Sequence, residues 1–227
     1  MAVFCLCYNL LMLNIFKRQI LEKVTGEKNI PKVFIFLGRS GCGKGTQADL
    51  LMSHLCNTGD KLCKTLHVES GAALREYVKG DSYTQKKTKF VMENGFLVPE
   101  SVVVYLWMNY LASNFTGTEN IVFDGCPRKL REAQLLNDAL TFYEIKNPMV
   151  ICINVSKDWS EKRLLGRARK DDSPESIKKR LEWFETEVMP TVNYYKGNPY
   201  YKFIDINGEQ PIEEVQNEIL AKLGLNL

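Results

Sequence analysis

The 227 residues contain no Cys-x-x-Cys pair, although there are seven cysteines. The odd count, with Cys5 and Cys7 only two apart, argues against a disulfide framework or a zinc site and fits reduced thiols in a cytosolic setting. Strong charge of either sign is also missing: 30 Lys and Arg against 27 Asp and Glu give +3. The basic residues are not joined to an aromatic platform pattern, so a nucleic-acid-binding module is not expected. Long apolar runs are lacking too. Met1 to Phe16 is mostly apolar, but Asn9 and Asn14 interrupt it. It is too short for a transmembrane helix and lacks the basic start and cleavage site of a signal peptide. Internal repeats and low-complexity linkers are absent, and the length fits one domain.

Residues 1–30 are read as an N-terminal extension of unknown role, closed by Gly26 to Pro31. Ile15, Phe16, Ile20, Leu21 and Val24 suit one side of a helix able to pack on the domain, touch a membrane or join a partner. Packing, or irrelevance to activity, is the expectation. The remainder, 31–227, has the character of an ordinary globular domain, since the chain is 45% apolar and 25% charged.

What the chain does have is concentrated in residues 33–57. Val33 to Leu37 is an apolar, β-branched run that predicts a buried strand. It empties into Gly38-Arg39-Ser40-Gly41-Cys42-Gly43-Lys44-Gly45-Thr46, and a helix carrying Ala48, Leu51, Met52 and Leu55 follows. Strand, glycine-rich loop and helix in this order make a phosphate loop. Gly38, Gly41 and Gly43 let the backbone curl until several N–H groups converge. Those groups, the helix N-terminus and the Lys44 ammonium suit a polyphosphate. Thr46 is placed to offer its hydroxyl to a phosphate or to the water shell of a magnesium ion. Cys42 reads as a plain loop residue.

Further strands are predicted at Thr65 to Val68, Ile121 to Asp124, Pro148 to Val155 and Tyr201 to Ile206, with a turn over Asn57 to Lys61. Helices are predicted from Ala72, over Tyr83 to Asn94, after Pro99 with Trp107 and Tyr110 in the core, over Lys129 to Leu140, and over Trp159 to Arg169. One more starts at Ser173-Pro174-Glu175 and is kinked or divided by Pro190; a last one runs from Pro211 to Leu223. The alternation predicts an α/β, P-loop nucleoside-triphosphate-hydrolase-like three-layer fold: a parallel five-stranded sheet with helices on both faces. The long helical stretch between the second and third strands reads as a mobile helical insert over the C-terminal edge of the sheet.

That edge is where ligands collect in open α/β sheets. Asp124 ends the third strand there and suits magnesium, directly or through water. Phosphoryl transfer needs fixed cations around the oxygens, and arginine suits this because it stays charged and binds two oxygens at once. The candidates fall in blocks: Arg75 after Ser70-Gly71, Arg128 after the Asp124 strand end, and Arg163, Arg167, Arg169 and Arg180 around Lys170-Asp171-Asp172.

Together these blocks resemble the nucleoside monophosphate kinases of the adenylate kinase type. That family's phosphate loop commonly reads GGPGSGKGTQ, against GRSGCGKGTQ here. Its STGDLLR element resembles Glu69 to Arg75, ESGAALR, its GxLVP segment resembles Gly95 to Pro99, and its DGFPR element resembles Asp124 to Arg128. The short-lid form of the family is similar to Arg167-Ala168-Arg169-Lys170-Asp171-Asp172, with KKRL following at Lys178 to Leu181. The similarity covers about residues 32–223.

The resemblance implies that Gly41, Cys42, Gly43, Lys44, Gly45 and Thr46 hold the donor's β-phosphate, with Lys44 spanning the transferred group. It implies that Arg163 and Arg167 serve the ATP donor, and that Arg75 and Arg128 grip the acceptor phosphate. Arg167, Arg169 and Arg180 would close over the phosphates, and Arg169 and Arg180 would also face the acceptor. Ser70, Gly71, Val98, Gly125 and Glu132 would lie near the acceptor nucleoside, and Thr46 and Asp124 would meet magnesium through water. The implied acceptor-binding insert covers about 69–98 and the lid about 167–173. The family usually has Gln at Glu132 and Asp at Ala72. An ionised Glu can only accept hydrogen bonds, so AMP leads as acceptor while CMP, UMP and dCMP stay open. The implied protein is a cytoplasmic monomer acting on small nucleotides with ATP and Mg2+, without nucleic-acid or membrane partners. A kinase for another small acceptor such as shikimate, and an inactive nucleotide-binding regulator, are the alternatives.

Overall fold

The computed structural model describes residues 31–57, 64–167 and 173–225. The extension 1–30, residues 58–63 with most of the expected Asn57 to Lys61 turn, and most of the lid segment with Arg169 lie outside the described residues. The described residues form five strands: β1 (Val33–Gly38), β2 (Thr65–Glu69), β3 (Asn120–Asp124), β4 (Met149–Asn154) and β5 (Lys202–Asn207). All pairings are parallel, in the spatial order β2-β3-β1-β4-β5.

The strand sequences explain why both faces of this sheet are covered. Every residue of β1 is buried. Side chains alternate across a strand, so Val33, Ile35 and Leu37 join one core while Phe34 and Phe36 join the other. The first core is closed by α4 (Glu100–Asn114) through Trp107 and Leu111, and by α5 (Leu130–Phe142) through Ala133, Leu136 and Leu140. The second is closed by α1 (Lys44–Asn57) through Ala48, Leu51 and Leu55, and by the C-terminal α9 (Ile212–Leu223) through Val215, Ile219 and Leu220. This is the three-layer α/β arrangement expected from the element order. Tyr110 is the exception within α4: the buried stripe runs Val103, Trp107, Leu111, and Tyr110 is on the exposed side of it.

Between β2 and β3 lie α2 (Ser70–Tyr77), α3 (Tyr83–Glu93) and α4. No turn separates β2 from α2. Glu69 stays in register with Asp124 to the end of the strand, and Ser70 Oγ then donates to the Gly125 carbonyl at 2.7 Å, so β3 and its loop hold this backbone until the helix starts. Ser82 and Gln85 form a reciprocal capping box that starts α3.

After β4 come α6 (Lys157–Arg167) and α7 (Pro174–Trp183). Ser173 caps α7 by accepting from Ser176 N, with Pro174 at the first position. The division expected at Pro190 falls upstream of it. A π-turn, Phe184–Val188, follows α7 directly and passes into α8 (Met189–Lys196), with Met189 N donating five residues back to Phe184 O. Pro190 has no N–H to donate, so the ladder is already interrupted at this point, and the wider turn takes up the mismatch.

Candidate active site

The parallel register places the C-terminal ends of β1, β2 and β3 side by side, with Phe36 opposite Asp124 and Asp124 opposite Glu69. Above them opens a cleft of about 1280 Å³, larger than the usual single small-molecule pocket of about 300–1,000 Å³. Its floor is the phosphate loop. Gly41, Gly43, Lys44, Gly45 and Thr46 line it. Gly41 (φ 85°) and Gly43 (φ 101°) adopt the left-handed backbone that the curl requires. Lys44 Nζ donates to the carbonyls of Gly38 at 3.0 Å and Arg39 at 2.8 Å, which folds its chain back along the loop.

Cys42 behaves differently from its neighbours. Its side chain is buried with Phe34, Phe36 and Ala48 beneath the loop, and its N–H donates to the Arg39 carbonyl at 3.2 Å. Its contribution to the loop is therefore shape, with the buried thiol also accepting from Lys44 Nζ at 3.6 Å.

Asp124 is buried at the strand end, and a Cβ on Gly45 would sit 3.1 Å from its Oδ2. The carboxylate thus packs against the first turn of α1, beside Thr46. Burial raises the Asp124 pKa, Lys44 pulls it down, and Glu69 pushes it up again; the net direction is up. A carboxylate and a hydroxyl are hard oxygen donors, and two of them suit an ion that keeps most of its waters, so this pair fits magnesium.

Across the cleft lie Ser70, Gly71, Arg75, Val98, Gly125, Arg128 and Glu132. Arg75 pairs with Glu69 at 3.1 Å, its guanidinium drawn over Gly71, where a Cβ would be only 3.1 Å from Nη1. Arg128 Nε donates to the Gly125 carbonyl at 2.8 Å, and the buried Thr191 of α8 donates to the Arg128 carbonyl at 2.9 Å. Glu132 stands in the first turn of α5, where negative charge is favoured. One of its oxygens accepts Arg128 N at 2.8 Å. Burial raises its pKa, against the lowering effect of the Arg128 backbone bond and side-chain charge. Glu132 therefore ties the Arg128 backbone to the start of α5 as well as facing the cleft.

The remaining wall carries Arg163 and Arg167 of α6 and Arg180 of α7. The Arg163 guanidinium carbon lies 4.6 Å from the centre of the Trp159 ring. Among the cleft residues that the sequence reading did not single out are Glu69 and Phe184. Glu69 is legible only through its partner Arg75, and Phe184 only through the π-turn that aims it inward.

The family model for adenylate kinase matches residues 36–199. That span contains every cationic side chain named above. The chain belongs to the adenylate kinase family. The relative named adenylate kinase 1 from Nostoc sp. is 34% identical over 190 residues, covering 84% of this chain and 97% of the relative. An adenylate kinase from Prochlorococcus marinus is 34% identical over 192 residues, covering 83% and 97%. One from Thermus thermophilus is 32% identical over 201 residues, covering 87% and 100%. Within this adenylate kinase family fold, the strand-end acids and the arginines of four separate segments meet in one cleft.

Proposed function

We propose that the chain catalyses reversible, magnesium-dependent transfer of the γ-phosphoryl group of ATP to a nucleoside monophosphate, with AMP as the leading acceptor, giving two ADP. The observation that carries this reading is the convergence of Lys44, Arg75, Arg128, Arg163, Arg167 and Arg180 on one cleft roomy enough for two nucleotides. A single-substrate hydrolase has no need of a second arginine cluster opposite the phosphate loop.

The roles follow from position. The loop from Gly41 to Thr46 holds the donor's β-phosphate by its backbone and by the α1 N-terminus. Lys44 leaves its carbonyl partners to span the moving phosphoryl. Arg163 and Arg167 serve the donor side; Arg75 and Arg128 hold the acceptor phosphate with Ser70, Gly71, Val98 and Gly125 around the nucleoside. Arg180, and Arg169 from the lid, neutralise charge as the group passes in line between the two oxygens. Thr46 and Asp124 would hold magnesium through water, and the ion would supply charge neutralisation at the phosphate oxygens. No covalent enzyme intermediate is needed. The insert of about 69–98 and the lid of about 167–173 close to exclude water, which favours the acceptor over hydrolysis.

AMP is supported by the relatives compared above, which are named adenylate kinases; Glu132, whose pKa burial raises, stands on the acceptor side of the cleft. Among the described residues no helix is long and apolar enough to cross a membrane; a cytoplasmic, monomeric enzyme acting on small nucleotides is part of the proposal. A coupled assay with ATP across AMP, CMP, UMP, GMP and dCMP tests the reading. Turnover highest with AMP is expected; a pyrimidine preference would move Glu132 to cytosine recognition, and binding without transfer would overturn the kinase assignment.

A further inference from the structure

One cationic side chain of the phosphate loop turns away from the nucleotide cleft. Arg39 stands where the loop GGPGSGKGTQ has its second glycine, and it is not among the residues lining the cleft. Its backbone carbonyl accepts from both Cys42 N at 3.2 Å and Lys44 Nζ at 2.8 Å, so the position of this residue sets the turn of the loop and the resting place of its lysine.

Its side chain makes three contacts elsewhere. Nε donates to the Val155 carbonyl, just past β4, at 3.2 Å. The guanidinium carbon lies 4.1 Å from the centre of the Phe184 ring. Nη2 forms an ion pair with Glu185 Oε1. The side chain is only 15% exposed, against 59% for Glu185. Nη1 is buried with no hydrogen-bond partner among the described residues. Burying a guanidinium with one nitrogen unpaired costs desolvation, so solvation alone does not account for this inward course.

The far ends of these contacts matter for the reaction. Phe184 and Glu185 open the π-turn, and short π segments of this kind occur often at functional sites. Arg180, one turn earlier on α7, lines the cleft, as do Trp183 and Phe184. The Arg39 side chain therefore joins the segment that carries Lys44 to the segment that carries Arg180.

We propose that Arg39 is a positioning residue that braces the phosphate loop against the π-turn and so sets the separation of Lys44 and Arg180 across the phosphoryl group in flight. The proposal rests on the kinase reading above. A group held in this way affects the transfer step more than nucleotide binding, because misplacing a catalytic group by about 1 Å can cost on the order of 10²-fold in rate.

The test compares the native chain with Arg39→Gly, Arg39→Lys, Glu185→Gln and the Arg39→Gly/Glu185→Gln pair, measuring kcat, KM for ATP and AMP, and melting temperature. Failure of the native chain to transfer phosphate would sink the kinase reading itself; the variants address the brace. Arg39→Gly is expected to lose roughly 10-fold or more in kcat with either KM changed less than about threefold. Arg39→Lys keeps the charge but not the planar fork, and recovers only part of the loss. Glu185→Gln leaves the loop sequence intact and shows a smaller loss in the same parameter, and the pair falls no lower than Arg39→Gly alone. Native kcat in Arg39→Gly, full recovery by Lys, additive losses in the pair, or a loss carried by KM or by unfolding would each overturn the proposal.

Discussion

At the scale of single residues, the cleft is a set of charges whose surroundings differ. Lys44 rests on two loop carbonyls and lies within the phosphate loop. Lys44→Met should cut turnover by at least about 10²-fold while leaving far-UV circular dichroism and melting nearly unchanged; near-native turnover would remove its role. Arg128→Ala should lower kcat/KM for the acceptor by about 10²-fold and leave ATP binding close to native; unchanged acceptor kinetics would count against Arg128. Glu132 offers a pH test. Its pKa is raised on folding from the ordinary 4.5, burial being the largest cause. A carboxyl shifted upward binds its proton more tightly in the folded chain, so its contribution to stability falls as pH rises from about 4.5 through the raised value. Glu132→Gln keeps an acceptor for Arg128 N without that penalty. It should raise the melting temperature at pH 7, a gain that vanishes below about pH 4.5, and lower KM for AMP. A gain of equal size at pH 4 and pH 7 would exclude the ionisation account. That the loop glycines, Lys44, Asp124, Arg75, Arg128, Arg163, Arg167 and Arg180 would share one cleft was legible in the sequence, because each stands near a strand end or a helix break. Glu69 and Arg39 were not, since the partners that give them meaning are placed only by the fold: Arg75 bends back over Gly71, and Glu185 arrives from far along the chain.

At the scale of elements, packing decides what local pattern leaves open. The three central strands could be read directly, because buried β-branched and aromatic runs bounded by glycine, asparagine and proline have few alternatives, whereas the edge strands β2 and β5 are half-buried. Element ends were less legible. β2 runs straight into α2 because its backbone is held by β3 and by the Ser70–Gly125 bond, a tertiary influence that propensity does not contain. The break before Pro190 likewise takes the form of a π-turn starting at Phe184, which a proline position alone does not locate. The contact between the phosphate loop and α6 gives a further test. Gly41 is at φ 85°, and a Cβ there would meet Leu164 Cγ at 2.9 Å and the Ser160 carbonyl at 3.2 Å. Gly41→Ala should push α6 and its Arg163 and Arg167 outward, raising KM for ATP by roughly 10-fold, with a smaller effect on KM for AMP. Equal changes in both would argue that α6 does not serve the donor side.

At the scale of the whole molecule, two faces of one sheet are sealed by helices, and the cleft at its C-terminal edge is the place where chemistry can occur. The phosphate loop forms the floor, α6 one wall, the start of α2 and the Asp124–Arg128 loop another, and α7 with the π-turn spans the side between them. Two phosphate-bearing molecules laid end to end would have their junction within reach of Lys44 and the arginines together. Titration calorimetry with two adenosines joined by a pentaphosphate examines this arrangement most directly. One molecule per chain, displacing ATP and AMP alike, is the result expected; saturation by that compound that still leaves AMP free to bind, or that displaces ATP alone, would contradict it.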